Sequence, residues 1–332
     1  MKNKGRKIII ALCVPLIFAV TLFAVSHLYY HRSVMATLSE FYMVAIDRDA
    51  IYEEGEKYEE NLRLRSVENL LPCEKPDGVT MHVEYRCTKE HDMQVFYFNE
   101  EEFSGTLIVY IPGGGYTNNP LKYHWKIIDT LARETHNQVI MPIYLKVPNY
   151  TCEESYRAMR EFYVDIATRP GVERIIFAGD SSGGGMSLVM AQLMRDEQPG
   201  LLQPEELLLI APWMDVSMEN EQIHDYEPVD PMLDMYGATD LGKKWAGDRD
   251  VHDPLVSPIY GTFENLGRIT LFVGTRDMLC PDILKFSEIL DEQSIEHTLI
   301  VKEGLDHPYP LFPIPEADEA KQLMIDIING VR

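Results

Sequence analysis

Short apolar runs alternate with longer amphipathic stretches along most of the chain. Thr106 to Ile111, Gln138 to Tyr144, Arg174 to Ala178, Leu207 to Ala211, Ile269 to Val273 and His297 to Val301 are compact and aliphatic, and read as buried strands. Helices are expected between them, over Leu121 to Thr135, Cys152 to Thr168, the residues after Ser181, Pro281 to Gln293, and from about Glu316 onward. In the segment after Ser181, Met186, Val189, Met190 and Leu193 recur at helical spacing. Val79 to Arg86 and Gln94 to Asn99 read as an antiparallel pair that starts the sheet. Repeated strand and helix units predict an α/β fold, with a mostly parallel central sheet covered by helices on both faces. Residues 214–256 break this rhythm after the sixth strand. They are rich in Asp, Pro and Met, carry Trp245, and read as an inserted lid.

The beginning of the chain follows another pattern. An uncharged run from Ile8 to Val25 follows Lys2, Lys4, Arg6 and Lys7, and Tyr29-Tyr30 lies just beyond it. About 20 apolar residues cross a bilayer, and the basic flank places residues 1–7 in the cytoplasm. Residues 1–32 are therefore expected to be a membrane anchor with the bulk of the chain on the far side. A signal peptide cleaved near Ala24-Val25-Ser26 is the alternative. Residues 33–75 read as partly amphipathic helices, with Leu38, Phe41, Tyr42 and Ala45 on one face. This segment is either a stalk or a cover for the site, and Pro72 and Pro76 end it. Residues 76–332 then form the main domain.

Composition sets further bounds. With 332 residues, 45% of them hydrophobic, the chain suits one large domain with an accessory part. A formal charge of −23, from 53 acidic against 30 basic residues, repels nucleic acid. Cys73, Cys87, Cys152 and Cys280 show no C-x-x-C spacing, so metal binding is unsupported. A Cys73–Cys87 disulfide or four free thiols are both open.

The chemistry is concentrated at Gly179-Asp180-Ser181-Ser182-Gly183-Gly184, between the strand Arg174 to Ala178 and a helix. A G-x-S-x-G sequence in the setting strand, tight turn, helix is a nucleophile elbow, which lifts a strained serine to the tip of the turn. A serine hydroxyl needs a base to take its proton, and the base needs an orienting group. The expected chain order is Ser, acid, His. Asp277 follows the strand Ile269 to Val273, and His307 follows the strand His297 to Val301. Asp282 and Asp306 also lie near, but Asp282 is placed to cap a helix, and Asp306 adjoins His307 and should point elsewhere. Of the ten histidines, His307 alone sits where a base is needed. Gly113-Gly114-Gly115 follows another buried strand. Gly113 and Gly114, with the N–H of Ser182, are the expected oxyanion donors.

Taken in order, Pro112-Gly113-Gly114-Gly115-Tyr116, Pro142-Ile143-Tyr144, Gly179 to Gly184, Asp253-Pro254, Ser257-Pro258, Asp277-Met278-Leu279 and His307 resemble the hormone-sensitive-lipase-like branch of the α/β-hydrolases. The resemblance covers residues 76–332. It implies hydrolysis of small-molecule carboxylic esters without a cofactor. It also implies a helical cap built from an N-terminal segment and an insertion after the sixth strand. By position, Ser181 becomes the nucleophile, Asp277 the acid and His307 the base. Pro112 stands where the family usually has a His, which removes an imidazole that would brace the glycine loop, and Ser182 stands where Ala is common. A peptidase or amidase on the same scaffold, or an inactive binding domain, are the alternatives.

Overall fold

The computed structural model describes residues 17, 19–46 and 52–331. Eight strands form one sheet in the order β1-β2-β4-β3-β5-β6-β7-β8. They are β1 (Tyr85–Glu90), β2 (Met93–Phe98), β3 (Thr106–Ile111), β4 (Gln138–Ile143), β5 (Arg174–Asp180), β6 (Pro204–Ile210), β7 (Arg268–Gly274) and β8 (His297–Lys302). From β4 to β8 the pairing is parallel, while β1 and β2 are antiparallel. This is the α/β-hydrolase arrangement expected from the alternating pattern.

Alternation along each central strand sends side chains to two cores. Leu107, Val109 and Ile111 of β3 join one cluster, while Ile108 and Tyr110 join the other. Helices cover both faces because both are apolar. The first cluster packs under α4 (Cys152–Ala167), α5 (Ser181–Glu197) and α8 (Cys280–Glu292). The second packs under α3 (Lys122–Thr135) and α9 (Pro315–Ile328). Two earlier helices, α1 (Val34–Ala45) and α2 (Glu56–Glu68), precede the sheet. Two more, α6 (Ile223–Tyr226) and α7 (Met235–Ala246), lie within the segment that breaks the rhythm after β6.

Two expectations need correction. The first strand does not run from Val79 to Arg86 but begins at Tyr85. The backbone N–H groups of His82 and Val83 donate instead to the Asp129 carboxylate of α3, at 2.6 and 3.3 Å, which takes them out of the ladder. The strand is mostly polar and exposed because it is the sheet edge. Its turn, His91-Asp92, has positive φ at both positions (48° and 65°), which sets the pairing of Glu90 with Met93.

The second correction concerns α1. Leu38, Phe41 and Tyr42 are exposed, and the face that docks is Ala36, Thr37, Glu40 and Met43. A charged residue, Glu40, leads the buried face because two arginines receive its carboxylate. Hydrophobic spacing alone selects the wrong face in such a case.

The apolar run Ile8 to Val25 lies mostly outside the described residues. Among the described residues, no helix is long and apolar enough to cross a membrane. Cys73, Cys87, Cys152 and Cys280 are free thiols.

Candidate active site

Ser181 directly follows β5 and opens α5, with a backbone φ of 53°. A non-glycine residue in that region carries about 1–3 kcal/mol of strain unless its surroundings hold it there. The surroundings are tight. A Cβ at Gly183 would lie 2.1 Å from the Ile111 carbonyl oxygen of β3, and one at Gly179 would lie 2.6 Å from the Gly183 oxygen. Both glycines of the motif are thus required by close backbone approach. The Trp213 N–H donates to the Ser181 carbonyl at 2.9 Å and fixes the turn from the other side.

The loops after β7 and β8 bring Asp277 and His307 together. The Nδ1 of His307 lies 2.9 Å from Asp277 Oδ2, and both residues are buried. Asp277 Oδ1 accepts the Leu279 N–H at 2.8 Å, so both carboxylate oxygens are occupied. The other two aspartates do not reach the imidazole. Asp306 turns towards Arg276 (3.3 Å) and Arg32 (3.6 Å). Asp282 accepts from the Asn220 side chain at 2.8 Å and forms no helix cap, the N-cap position of α8 being Leu279.

Asp230 escaped the sequence reading. It comes from the inserted segment and is buried beside the Asp277 loop, where its Oδ2 accepts the Met278 N–H at 2.8 Å. Its Oδ1 accepts from Met232 and Leu233 at 2.8 and 3.0 Å. Burial and the neighbouring Asp277 charge push its pKa up to about 7. Nothing in the pattern around Asp230 separates it from the other aspartates of an acidic segment. Burial by itself would press His307 towards the neutral form. The charges of Asp277, Asp230 and Asp180 outweigh this and raise its pKa above the ordinary value.

Ser181 and His307 line one cavity of about 300 Å³. Its wall is mainly apolar: Tyr42 and Met43 come from α1, Met232, Leu233 and Leu241 from the insertion, and Trp213 from the loop after β6. Gly114 and Gly115 also line it, whereas Gly113 does not. The expectation for Gly113 as a donor is corrected by its hydrogen bond, since its N–H goes to Asp180 Oδ1 at 3.2 Å. Ser182 sits in the first turn of α5, where backbone N–H groups have no intrahelical acceptor. Its hydroxyl accepts from the Tyr116 N–H at 3.2 Å.

The carboxylate of Asp180 is the centre of this bracing. It also accepts the Tyr110 hydroxyl at 2.8 Å and lies 3.1 Å from His124 Nε2. His124 Nδ1 accepts the Leu121 N–H at 2.8 Å, so the ring proton must sit on Nε2 and point at Asp180. Burial opposes the Asp180 charge, yet His124, Tyr110 and Gly113 together hold its pKa below the usual carboxylate value. An imidazole therefore does steady the glycine loop, but it comes from α3 and acts through Asp180 rather than from the position of Pro112. Among the described residues no cluster of His, Cys, Asp and Glu could hold a metal ion.

Comparison with known proteins supports the fold. The family described as alpha/beta hydrolase fold matches residues 108–311. This chain belongs to that family. A triacylglycerol lipase of Mycobacterium tuberculosis is 28% identical over 222 residues, 67% of this chain and 44% of the lipase, so the match spans under half of that relative. An esterase of Acinetobacter venetianus is 27% identical over 225 residues, 67% of this chain and 73% of the esterase. Among solved structures, a candidate esterase from Staphylococcus aureus has a TM-score of 0.80 at 27% identity, covering 85% of this chain and 96% of its own. A bacterial esterase of the hormone-sensitive lipase family shares the fold, with a TM-score of 0.72 at 18% identity over 88% of this chain and 98% of its own. The protein is thus an esterase- and lipase-like α/β-hydrolase, as the order of motifs implied.

The buried carboxylates give this hydrolase a pH signature. Asp230 and Asp282 have pKa values raised to about 7 and 6 from 3.8, with burial the main cause in each. A carboxyl whose folded pKa is raised contributes stability below its unfolded pKa and loses it as the pH climbs through the folded one. The melting temperature should therefore fall between about pH 4 and pH 7. Asp230→Asn should flatten that decline in thermal melts across the range. An unchanged slope in the variant would contradict the placement of Asp230.

Proposed function

We propose that this α/β-hydrolase cleaves short- to medium-chain carboxylic esters through an acyl-enzyme on Ser181. The observation that carries the reading is a serine at positive φ sharing one apolar cavity with a histidine whose Nδ1 is bonded to a buried aspartate. With Nδ1–H held by Asp277, Nε2 of His307 is the atom that can take a proton. Ser181 Oγ attacks the ester carbonyl carbon as its proton passes to Nε2. The carbonyl π bond opens to an oxyanion, which the amides of Gly114, Gly115 and Ser182 meet at the helix N-terminus. The C–O bond to the alcohol then breaks, and the leaving oxygen takes the proton back from the imidazolium. Water repeats the sequence with the same base and releases the acid. Asp277 stays ionised throughout and stabilises the imidazolium. The small apolar cavity favours an uncharged acyl group of modest length, since burying a charge there without a partner is costly.

We infer from Lys2 to Lys7 and the uncharged run Ile8 to Val25 that the residues before Tyr30 anchor the enzyme in a membrane, with the hydrolase domain outside the cytoplasm. Intact protein should sediment with membranes, and its domain should be open to protease added from the non-cytoplasmic side. Soluble protein whose first residue lies near His27 would show a cleaved signal instead.

Ser181→Ala should abolish p-nitrophenyl ester hydrolysis, and Asp277→Asn should lower turnover by about 10⁴-fold. Each variant should keep the wild-type circular dichroism spectrum. Because His307 must be neutral to act and its pKa is raised, kcat/KM should fall on the acid side with an apparent pKa above 6.5. Full activity in Ser181→Ala, or an acid limb below that value, would refute the scheme.

A further inference from the structure

The loops that carry Asp277 and His307 are bound to each other and then to the N-terminal segment. Gly304 donates its N–H to Thr275 Oγ1 at 2.9 Å, and Arg276 donates its own to the Leu305 carbonyl at 3.0 Å. Above this junction lies a four-membered charge cluster. The Arg32 side chain has no solvent exposure; it pairs with Glu40, donates from Nη1 to the Gly304 carbonyl at 2.6 Å, and approaches Asp306 at 3.6 Å. Arg276 pairs with the same two carboxylates, at 2.6 Å to Glu40 and 3.3 Å to Asp306. The Tyr30 ring lies under both guanidinium groups, 4.5 Å from Arg32 and 5.2 Å from Arg276. Thr37 Oγ1 accepts from Arg32 Nε at 3.1 Å, and Ser33 is tied to Glu316 of α9 through its backbone N–H and hydroxyl, at 2.5 and 2.9 Å.

Gly304 gives an independent sign of how closely the segment docks. Its φ is +72°, and a Cβ there would lie 2.0 Å from the Tyr30 carbonyl oxygen. The backbone of residues 30–32 thus rests directly on the loop that leads to His307, three residues further on. Two cations and two carboxylates balance to no net charge, so the cluster is self-contained while complete. Loss of Arg32 leaves two buried carboxylates sharing the single cation of Arg276, and that uncompensated buried charge is strongly unfavourable.

We propose that Arg32 and Glu40 are positioning residues of the catalytic centre, through which the segment before the sheet holds the His307 and Asp277 loops in register. The inference rests on the proposed base and acid. Neither Arg32 nor Glu40 touches the reacting atoms; both act through Gly304, Arg276 and Asp306. A consequence is that a fragment beginning at residue 33 lacks one of the two cations of the cluster.

The test uses the full chain with active sites counted by a fluorescent phosphonate, so that turnover is expressed per reactive Ser181. Arg32→Met should lower kcat towards the roughly 10²-fold loss that a misplacement of about 1 Å produces, with KM for a short ester nearly unchanged. Glu40→Gln should lower kcat in the same sense but less. Arg32→Met combined with Glu40→Gln should recover turnover relative to Arg32→Met alone, because one cation then faces one carboxylate; such coupling is expected only between residues of one network. Should Arg32→Met not fold, Arg32→Lys and Glu40→Gln decide the matter by the same split between kcat and KM. A purely structural role would lower the melting temperature and leave kcat per titrated site untouched, and that result overturns the proposal. Absence of phosphonate labelling at Ser181 in the wild type would instead refute the catalytic reading on which it rests.

Discussion

The crossing of α5 over the end of β3 is the constraint on which the site depends. Gly183 packs so close to the Ile111 carbonyl that a methyl group cannot be placed between them. That approach holds the elbow and keeps Ser181 at positive φ, since a relaxed backbone would move the helix away from the sheet. It also puts Asp180 beneath the glycine loop, where one carboxylate receives Gly113, Tyr110 and His124. The glycine loop and Ser181 are therefore parts of one braced unit rather than two loops that meet. Catalytic groups must be held to well under an ångström, and rigid strand ends provide such support.

Electrostatics supplies the second layer. Asp277, Asp230, Asp180 and Asp306 are all buried within reach of His307 or its loop. Such a concentration of carboxylates is unfavourable unless each has donors. Asp277, Asp230 and Asp180 take backbone N–H groups, and Asp306 takes two arginines. The charges of Asp277, Asp230 and Asp180 favour the protonated form of His307. The ordering of the N-terminal segment and the insertion follows from this demand, since Arg32 and Glu40 come from one and Asp230 from the other.

Much of this was legible in the sequence because the central strands are continuous aliphatic runs with chemistry at their carboxyl ends. Ser181, Asp277 and His307 could be named from their distance beyond such runs, and the structure brings Asp277 and His307 into contact. What was not legible depends on tertiary partners. The buried face of α1 is set by Glu40 meeting arginines from residues 32 and 276, which no helical periodicity reports. The edge strand was misplaced because His82 and Val83 bond a helix side chain rather than a neighbouring strand. Gly113 was read as a donor because a glycine run does not reveal which N–H is already taken. The answer lay in Asp180, the motif's variable position, whose role required a fold to see.

The most direct measurement is a crystal structure of the full chain inactivated by a p-nitrophenyl alkylphosphonate. Phosphorus bonded to Ser181 Oγ, with the phosphoryl oxygen in hydrogen-bond range of the Gly114, Gly115 and Ser182 amides and His307 Nε2 facing Oγ, is the predicted result. Phosphorus on another residue, or the oxygen bound by the Gly113 amide with Asp180 displaced, would contradict the account.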